Sequence, residues 1–476
     1  MSVFDPVFGR GEVLGGDPAA AWPRALLEVE AALARALERA GLAPAGAGSA
    51  VTAAAEELMS GGIAALVSPG AGPPGAPGTD PLGAPGADPL GTGAAGNPVP
   101  GLARLLGSRV PAEYAGAVHR GATSQDIIDT AMMLLASRGL AVIGDDLAAS
   151  AAGCARLAAD HRDTVMIGRT LLQQAVPVTF GLMAAGWLTA VDDARAGLAT
   201  VRDGRLAVQF GGAAGTLAAL DAAGPRVAAL LAAELGLAVP VLPWHTDRLR
   251  LLDVAAALAR CCAALGKIAR DVTLLSQSEV GEVTVGSPGG SSAMPHKRNP
   301  VAAVAVLGCA RQAPGLLATL AAGAEQEYQR AAGAWHAEWE PYTALLRLTG
   351  SAAAWSAELV TTLVVDVPRM TANLASAKGL PLAEHVAALA AGVLGRAAAH
   401  DLVAEASHRA VAAGLPLRDV LLGAQSFADE LASAGVLPEE IEAALEPSGY
   451  LGASGIFVDA ALAAHDDYEA SEGSHG

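Results

Sequence analysis

The chain has 476 residues, which as a prior is room for about three domains at ~150 residues each. It is 52% hydrophobic, 4% aromatic and 16% charged, with mean hydropathy +0.40, which excludes disorder over most of its length. Because the apolar content is mostly Ala, Leu and Val, an all-β fold is disfavoured; the net charge of −18 and pI near 4.9 argue against nucleic acid and anionic membrane as partners, though not against a small anion bound by a local cluster of Arg, Lys and His.

The first residues, MSVFDPVFGRGEV, have neither the basic nor the apolar region of a signal peptide. Residues 20–41 place Leu26, Leu27, Val29, Leu33 and Leu37 near one face of a helix that stops at a glycine. In residues 68–101, Pro and Gly fill 19 of 34 positions and DPLG occurs twice, so this stretch is expected to be a surface insertion and neither helix nor central strand. Thr123-Ser-Gln-Asp126 resembles a capping box opening a helix over 123–139 that ends at Gly139. Further helices are expected at 143–160, 171–200, 224–236, 252–280, 300–323, 336–364 and 383–400, with no strand of length. The longest uncharged run, Thr170–Val191, is long enough for a membrane span. It is interrupted by Gln173, Gln174 and Pro177, which favours a helix buried in a bundle.

Cys154, Cys261, Cys262 and Cys309 have neither CxxC nor zinc-ligand spacing and are expected to be buried, reduced thiols of a cytosolic protein. No P-loop and no HExxH occurs, Phe210–Gly215 has the wrong glycine spacing for a dinucleotide fingerprint and reads as a tight interhelix turn, and the ten histidines form no ligand pattern. His385 reads as an ordinary helix residue.

The chemistry gathers in Gly289–Pro300, GGSSAMPHKRNP. Glycines allow a loop to close over a ligand. Two hydroxyls and Lys297 follow, and Asn299-Pro300 suits the N-cap and first position of a helix. A helix start beside a lysine suits carboxylates or a developing oxyanion. On pattern alone, a polar interhelix loop remains an equal reading.

This segment matches Gly-Ser-Ser-x-Met-Pro-x-Lys-x-Asn-Pro, and the chain thereby resembles the fumarase/aspartase superfamily. His119-Arg-Gly-Ala-Thr-Ser-Gln-Asp126 resembles its first motif, and Gly168–Ala175 its second, Gly-x-Thr-His-x-Gln-x-Ala, except that Leu171 stands in place of the histidine. The resemblance implies an all-α, elongated three-domain fold around a central bundle of long helices: 1–118 (with the 68–101 insertion), 119–366 (with the signature loop 286–300) and 367–476 (acidic tail about 465–476). It implies a homotetramer with active sites shared between subunits, a small tricarboxylate substrate, and no metal or organic cofactor. By the same resemblance Ser291, Lys297 and His119 are catalytic, and Thr123, Ser124, Thr170, Asn299 and Arg330 bind substrate.

Leu171 separates the branches. A lyase that expels an amine gains from an acid at the leaving group, and leucine has no proton to give. A cycloisomerase adds its own carboxylate, which needs none. Trp244-His245-Thr246 with Arg248, Gln277–Val283, Gln326–Trp339 and Phe4–Gly11 also resemble the muconate cycloisomerase branch, apart from Tyr328, where a histidine is expected. The alternatives are an adenylosuccinate lyase-like enzyme, an inactive helical scaffold, and an unrelated membrane or binding protein.

Overall fold

The structure is a computed structural model that describes all residues except 1–3, 16–17, 62–87, 89, 287–288, 291–293, 295–296, 424, 434 and 474–476. In chain order its main elements begin with α1 (Pro18–Arg39), α2 (Ala47–Ser60), α3 (Val99–Gly107) and α4 (Ser124–Asp160). A hairpin follows, β1 (Val165–Thr170) and β2 (Gln173–Thr179), then α5 (Phe180–Gly204), α6 (Gly224–Leu235) and α7 (Leu249–Leu275). Next come β3 (Val283–Val285), β4 (Gly289–Gly290), β5 (Arg298–Asn299), α8 (Val301–Ala310), α9 (Ala313–Ala322) and α10 (Trp339–Thr362). The chain ends through β6 (Leu363–Val365), α11 (Val367–Ser376), α12 (Ala383–Leu394), α13 (Arg396–Ala413) and, after shorter helices, α14 (Ser454–Gly473). The fold is all-α, with three two-stranded ladders among the described residues.

Backbone contacts divide the chain into two compact units: Met1–Asp146, Ala194–Gly266 and Ala305–Trp355 form one; Leu147–Asp193, Lys267–Val304 and Ser356–Gly476 form the other. In the first unit α1 packs on α2 and α6. Leu26, Leu27, Leu33 and Leu37 of α1 are buried, as are Val51 and Leu58 of α2 and Val227 and Leu231 of α6. Arg35 and Arg39 share Glu234 at 2.6 and 2.8 Å. In the second unit Phe180 packs edge-on against Trp187. Strands β3 and β6 pair antiparallel, and a C-terminal core is built from α12, α13 and the short helices after them, around Val386, Leu402, Val403, Leu417, Leu421 and Ile441.

Five sequence expectations are corrected, the briefest being that the helix expected over 383–400 is two, α12 and α13, parted at Gly395 with φ 79°. The helix begun at Ser124 does not stop at Gly139 but runs to Asp160. Gly139 is there because a Cβ would come within 2.9 Å of Leu346 and Val13, so glycine serves packing and the helix continues through it. Residues 171–179 are not helix. Thr170 pairs with Gln173, leaving Leu171-Leu172 as a two-residue turn with φ of 52° and 63°. That is type I′ geometry, which normally selects Asn-Gly, so leucines gave no turn signal. Within 68–101, Thr92–Ala95 is helical, capped by Asp88 accepting from the Thr92 and Gly93 amides, and α3 begins at Val99; residues 68–87 and 89 lie outside the described residues. The 300–323 helix starts at Val301 and breaks after Ala310, and Asn299 is held in a ladder instead of capping it.

Among the described residues two stretches, Ser124–Asp160 and Val301–Ala322, are long and apolar enough to cross a membrane by length and composition. The apolar window of the first is 72% buried within the protein, that of the second only 33%. The four cysteines are buried and free; burial pushes the thiols of Cys154 up to about 12 and of Cys262 to about 11.

Candidate active site

In the first unit, the start of α4 collects His119, Thr123, Ser124 and Arg330. The chain turns into the helix at Gly121, where φ is 79° and a Cβ would meet Leu220 at 2.6 Å. Asp126 Oδ2 accepts the Thr123 amide at 3.0 Å, the reciprocal half of the expected capping box. The same carboxylate accepts the Gly211 and Gly212 amides at 2.9 Å each and lies 2.7 Å from His245 Nε2. The Phe210–Gly215 turn thus supplies an amide nest for Asp126, with Gly212 in left-handed backbone at φ 68°.

Gln125, one residue along, links this turn to Arg330. Its amide nitrogen donates to Asp129 and to the His245 carbonyl, and its oxygen accepts from Arg330 Nη1 at 3.3 Å. Arg330 Nη2 donates to the Ala213 carbonyl at 2.9 Å. Beneath, Arg248 is wholly buried between Asp129 and Glu338, donating to both. Trp335 Nε1 also donates to Asp129, and Gln326 to Glu338. Burial pushes the Glu338 carboxyl up to about 7, against the opposing pull of Arg248. Tyr328, in the place where a histidine was expected, has φ 50° and is 87% exposed, and its carbonyl accepts from Thr246 Oγ1 at 3.0 Å.

His119 is held by Glu30 of α1, which lies 2.6 Å from its Nδ1 and accepts its main-chain N–H at 3.0 Å. Burial lowers the imidazole pKa. The Glu30 hydrogen bond and charge, with the charge of Asp126 behind them, outweigh it, and the pKa is raised above the ordinary histidine value.

In the second unit, Thr170 is exposed at the end of β1, beside the tip formed by Leu171 (96% exposed) and Leu172 (73% exposed). The hairpin is anchored at Arg169, whose guanidinium makes two hydrogen bonds of 2.7 and 2.8 Å to buried Glu282, itself bonded to Asn373 at 2.7 Å. Gly168 is required by sterics, since a Cβ would lie 2.5 Å from the Val176 carbonyl. The signature loop is closed at its base by pairing of Gly289 with Asn299 and Gly290 with Arg298. Lys297 is exposed, and its amide donates to the Met294 carbonyl at 3.0 Å. Ser291 lies outside the described residues.

The structure therefore brings His119, Thr123, Ser124 and Arg330 together, and places Thr170, Lys297 and Asn299 in the other unit. Sequence reasoning had Asp126 only as a helix cap and missed Glu30, Gln125, Asp129 and Glu338. Elsewhere, His385 of α12 stacks on Tyr450 with ring centroids 4.4 Å apart. Asp192, His465 and Glu469 form a group close enough to hold an ion. However, the imidazole presents Nδ1 to Asp192 at 2.9 Å and Nε2 toward Glu469 at 4.0 Å, the pattern of an ion-paired histidine between two carboxylates.

These features belong to a known class. A family profile described as "Lyase" matches residues 96–315, and one described as "Adenylosuccinate lyase C-terminus" matches residues 379–461. The chain is 46% identical over 358 residues to the 3-carboxy-cis,cis-muconate cycloisomerase of Bradyrhizobium diazoefficiens, covering 75% of this chain and 78% of the relative. It is 42% identical over 461 residues to a nitrosuccinate lyase of Streptomyces davaonensis, covering 94% and 91%. The crystal structure of the 3-carboxy-cis,cis-muconate lactonizing enzyme of Pseudomonas putida superposes with a TM-score of 0.84 at 37% identity, over 98% of this chain and 99% of that one. The chain belongs to the fumarase/aspartase superfamily.

Proposed function

We propose that the protein is a cycloisomerase interconverting 3-carboxy-cis,cis-muconate and 4-carboxymuconolactone, in the protocatechuate branch of the β-ketoadipate pathway. The observation that carries the reading is the near-complete match to proteins named for this reaction, one of them a solved structure aligned over 98% of this chain. The exposed Leu171 agrees with it, because the carboxylate that closes the lactone is already a nucleophile and needs no acid at that position.

In this reading one substrate carboxylate oxygen attacks the alkene carbon β to a second carboxylate. The C–O bond forms as the alkene electron pair moves toward that second carboxylate, giving an enediolate. Ser291 then delivers a proton to the α-carbon. In reverse, a serinate removes it, and the serine needs activation by its surroundings. Lys297, the loop amides and the start of α8 at Val301 supply the positive field for the dianionic charge. Thr123, Ser124, Thr170, Asn299 and Arg330 position carboxylates, with Arg330 suited by its planar fork. His119 assists orientation or proton transfer. The reaction has no redox step, and no cofactor is assigned.

The reading also takes the protein to be a cytosolic homotetramer with active sites shared between subunits. Support comes from Val301–Ala322, apolar yet one-third buried, with Val301 40% and Val304 56% exposed. The functional test is product analysis. Wild type should convert the muconate to lactone without releasing fumarate, and Ser291→Ala should lose that conversion; a Ser291→Ala enzyme with wild-type turnover overturns the serine's role.

The Streptomyces davaonensis relative supports a second reading, a lyase acting on nitrosuccinate. A nitro group leaves as nitrite, a weakly basic anion that also needs no acid, so Leu171 does not separate these two. It does weigh against an adenylosuccinate lyase-like activity, whose leaving amine needs a proton.

A further inference from the structure

Glu30 lies in the middle of α1 with its side chain wholly buried. A carboxylate there is costly unless paired and hydrogen-bonded. Both its oxygens serve one residue: Oε1 stands 2.6 Å from His119 Nδ1, and Oε2 accepts the His119 main-chain N–H at 3.0 Å. The double grip falls where His119 has φ of 56°, left-handed backbone that is uncommon for a residue with a Cβ. With Nδ1 turned to Glu30, the tautomer is fixed and Nε2 faces away. Among the described residues Nε2 has no hydrogen-bond partner, although a quarter of the side chain (25%) is exposed. Glu30 of α1 and Asp126 of α4 are the charged groups acting on the ring, and both favour its cationic form.

We propose that Glu30 is a positioning residue for the reaction above, fixing His119 so that a cationic Nε2–H is presented to one carboxylate of the substrate. The proposal rests on the cycloisomerase reading and on His119 lying in its site. With Leu171 standing where the superfamily motif has its histidine, His119 is the imidazole that the motif residues retain. A carboxylate gains more from a charged N–H than from a neutral one, so a fixed imidazolium is an anchor against the chain's own net charge of −18. Glu30 does not touch substrate; it acts through the ring.

The test compares kcat and KM for 3-carboxy-cis,cis-muconate from pH 6 to 9 in wild type and Glu30→Gln, which keeps the shape and removes the charge. The expected result is a higher KM in Glu30→Gln, roughly tenfold at neutral pH and narrowing as pH falls, with the alkaline limb of kcat/KM moved to lower pH. A folded Glu30→Gln enzyme with the wild-type limb overturns the proposal. Histidine nitrogen NMR on the whole protein, with the His119 signal identified by its loss in His119→Gln, gives a second reading that needs no turnover. In wild type that signal should titrate above the ordinary histidine range, and in Glu30→Gln below its wild-type position. An ordinary titration in wild type overturns the proposal even where the variant fails to fold. Absence of turnover in wild type with the coupled titration intact marks a failure of the cycloisomerase reading and leaves the Glu30–His119 coupling standing.

Discussion

The Arg248 guanidinium holds the Asp129 carboxylate by two hydrogen bonds of 2.7 and 3.1 Å, with both side chains wholly buried. Since Glu338 takes the other side of the same guanidinium, Arg248→Met strands two carboxylates in the interior. Breaking such a buried pair costs about 3–5 kcal/mol. Arg248→Met should therefore lose most of its stability in denaturant unfolding, whereas the triple change with Asp129→Asn and Glu338→Gln should recover much of it. A stable single variant would contradict this account of the network.

Glu338 gives a pH dependence with a definite sign. Its pKa is about 7 in the folded protein, raised from 4.5 mainly by burial. The folded state then binds more protons than the unfolded state between pH 4.5 and 7, so its share of stability falls as pH rises through that window. At ~1.4 kcal/mol per pKa unit the fall is no more than about 3.5 kcal/mol. Glu338→Gln should gain on wild type between pH 5 and 7.5 when melting temperatures are compared, and a constant difference would remove Glu338 as the titrating group.

Leu171→His restores the superfamily's residue at a turn position that histidine tolerates better than leucine, since φ there is 52°. If the closing carboxylate needs no acid, turnover of 3-carboxy-cis,cis-muconate should stay within about threefold of wild type or fall, on the scale of one 1.4 kcal/mol step per tenfold. A rise beyond tenfold would show that an acid at the hairpin tip assists the reaction.

Lys297 is exposed, so Lys297→Ala should melt as wild type does. Loss of one preorganised donor to developing negative charge costs ~10²–10³ in kcat. A loss of less than tenfold would take Lys297 out of the site.

The substrate is a trianion approaching a chain of net charge −18, so long-range repulsion opposes binding. Raising ionic strength from about 0.01 to 0.1 M shortens the screening length from ~30 to ~10 Å. KM should fall over this interval, and a rise would mean that local positive groups dominate even at long range.

Much of this was legible in the sequence because helices are encoded locally: the apolar spacing of Leu26, Leu33 and Leu37 and the Ala/Leu content sufficed for α1 and the class of fold. The Leu171-Leu172 turn was not, since its left-handed backbone is imposed by the pairing of β1 with β2 and no local residue preference announces it. Gly139 misled for the converse reason, a glycine selected by neighbours distant in sequence. The motif residues His119, Thr123 and Ser124 were found, but their supports were not. Asp126, Asp129 and Glu338 acquire meaning only through Gly211, His245 and Arg248, 85 to 119 positions away. Glu30 did leave a trace, a charged residue three and four positions from Leu27, Leu26, Leu33 and Ala34 on the buried face of α1.

The central claim is tested most directly by the ultraviolet absorbance of 3-carboxy-cis,cis-muconate mixed with purified protein, beside parallel nitrosuccinate and adenylosuccinate assays. The account predicts rapid loss of the conjugated-diene absorbance and no comparable turnover of the other two. A persistent diene signal, with nitrosuccinate or adenylosuccinate consumed instead, would contradict it.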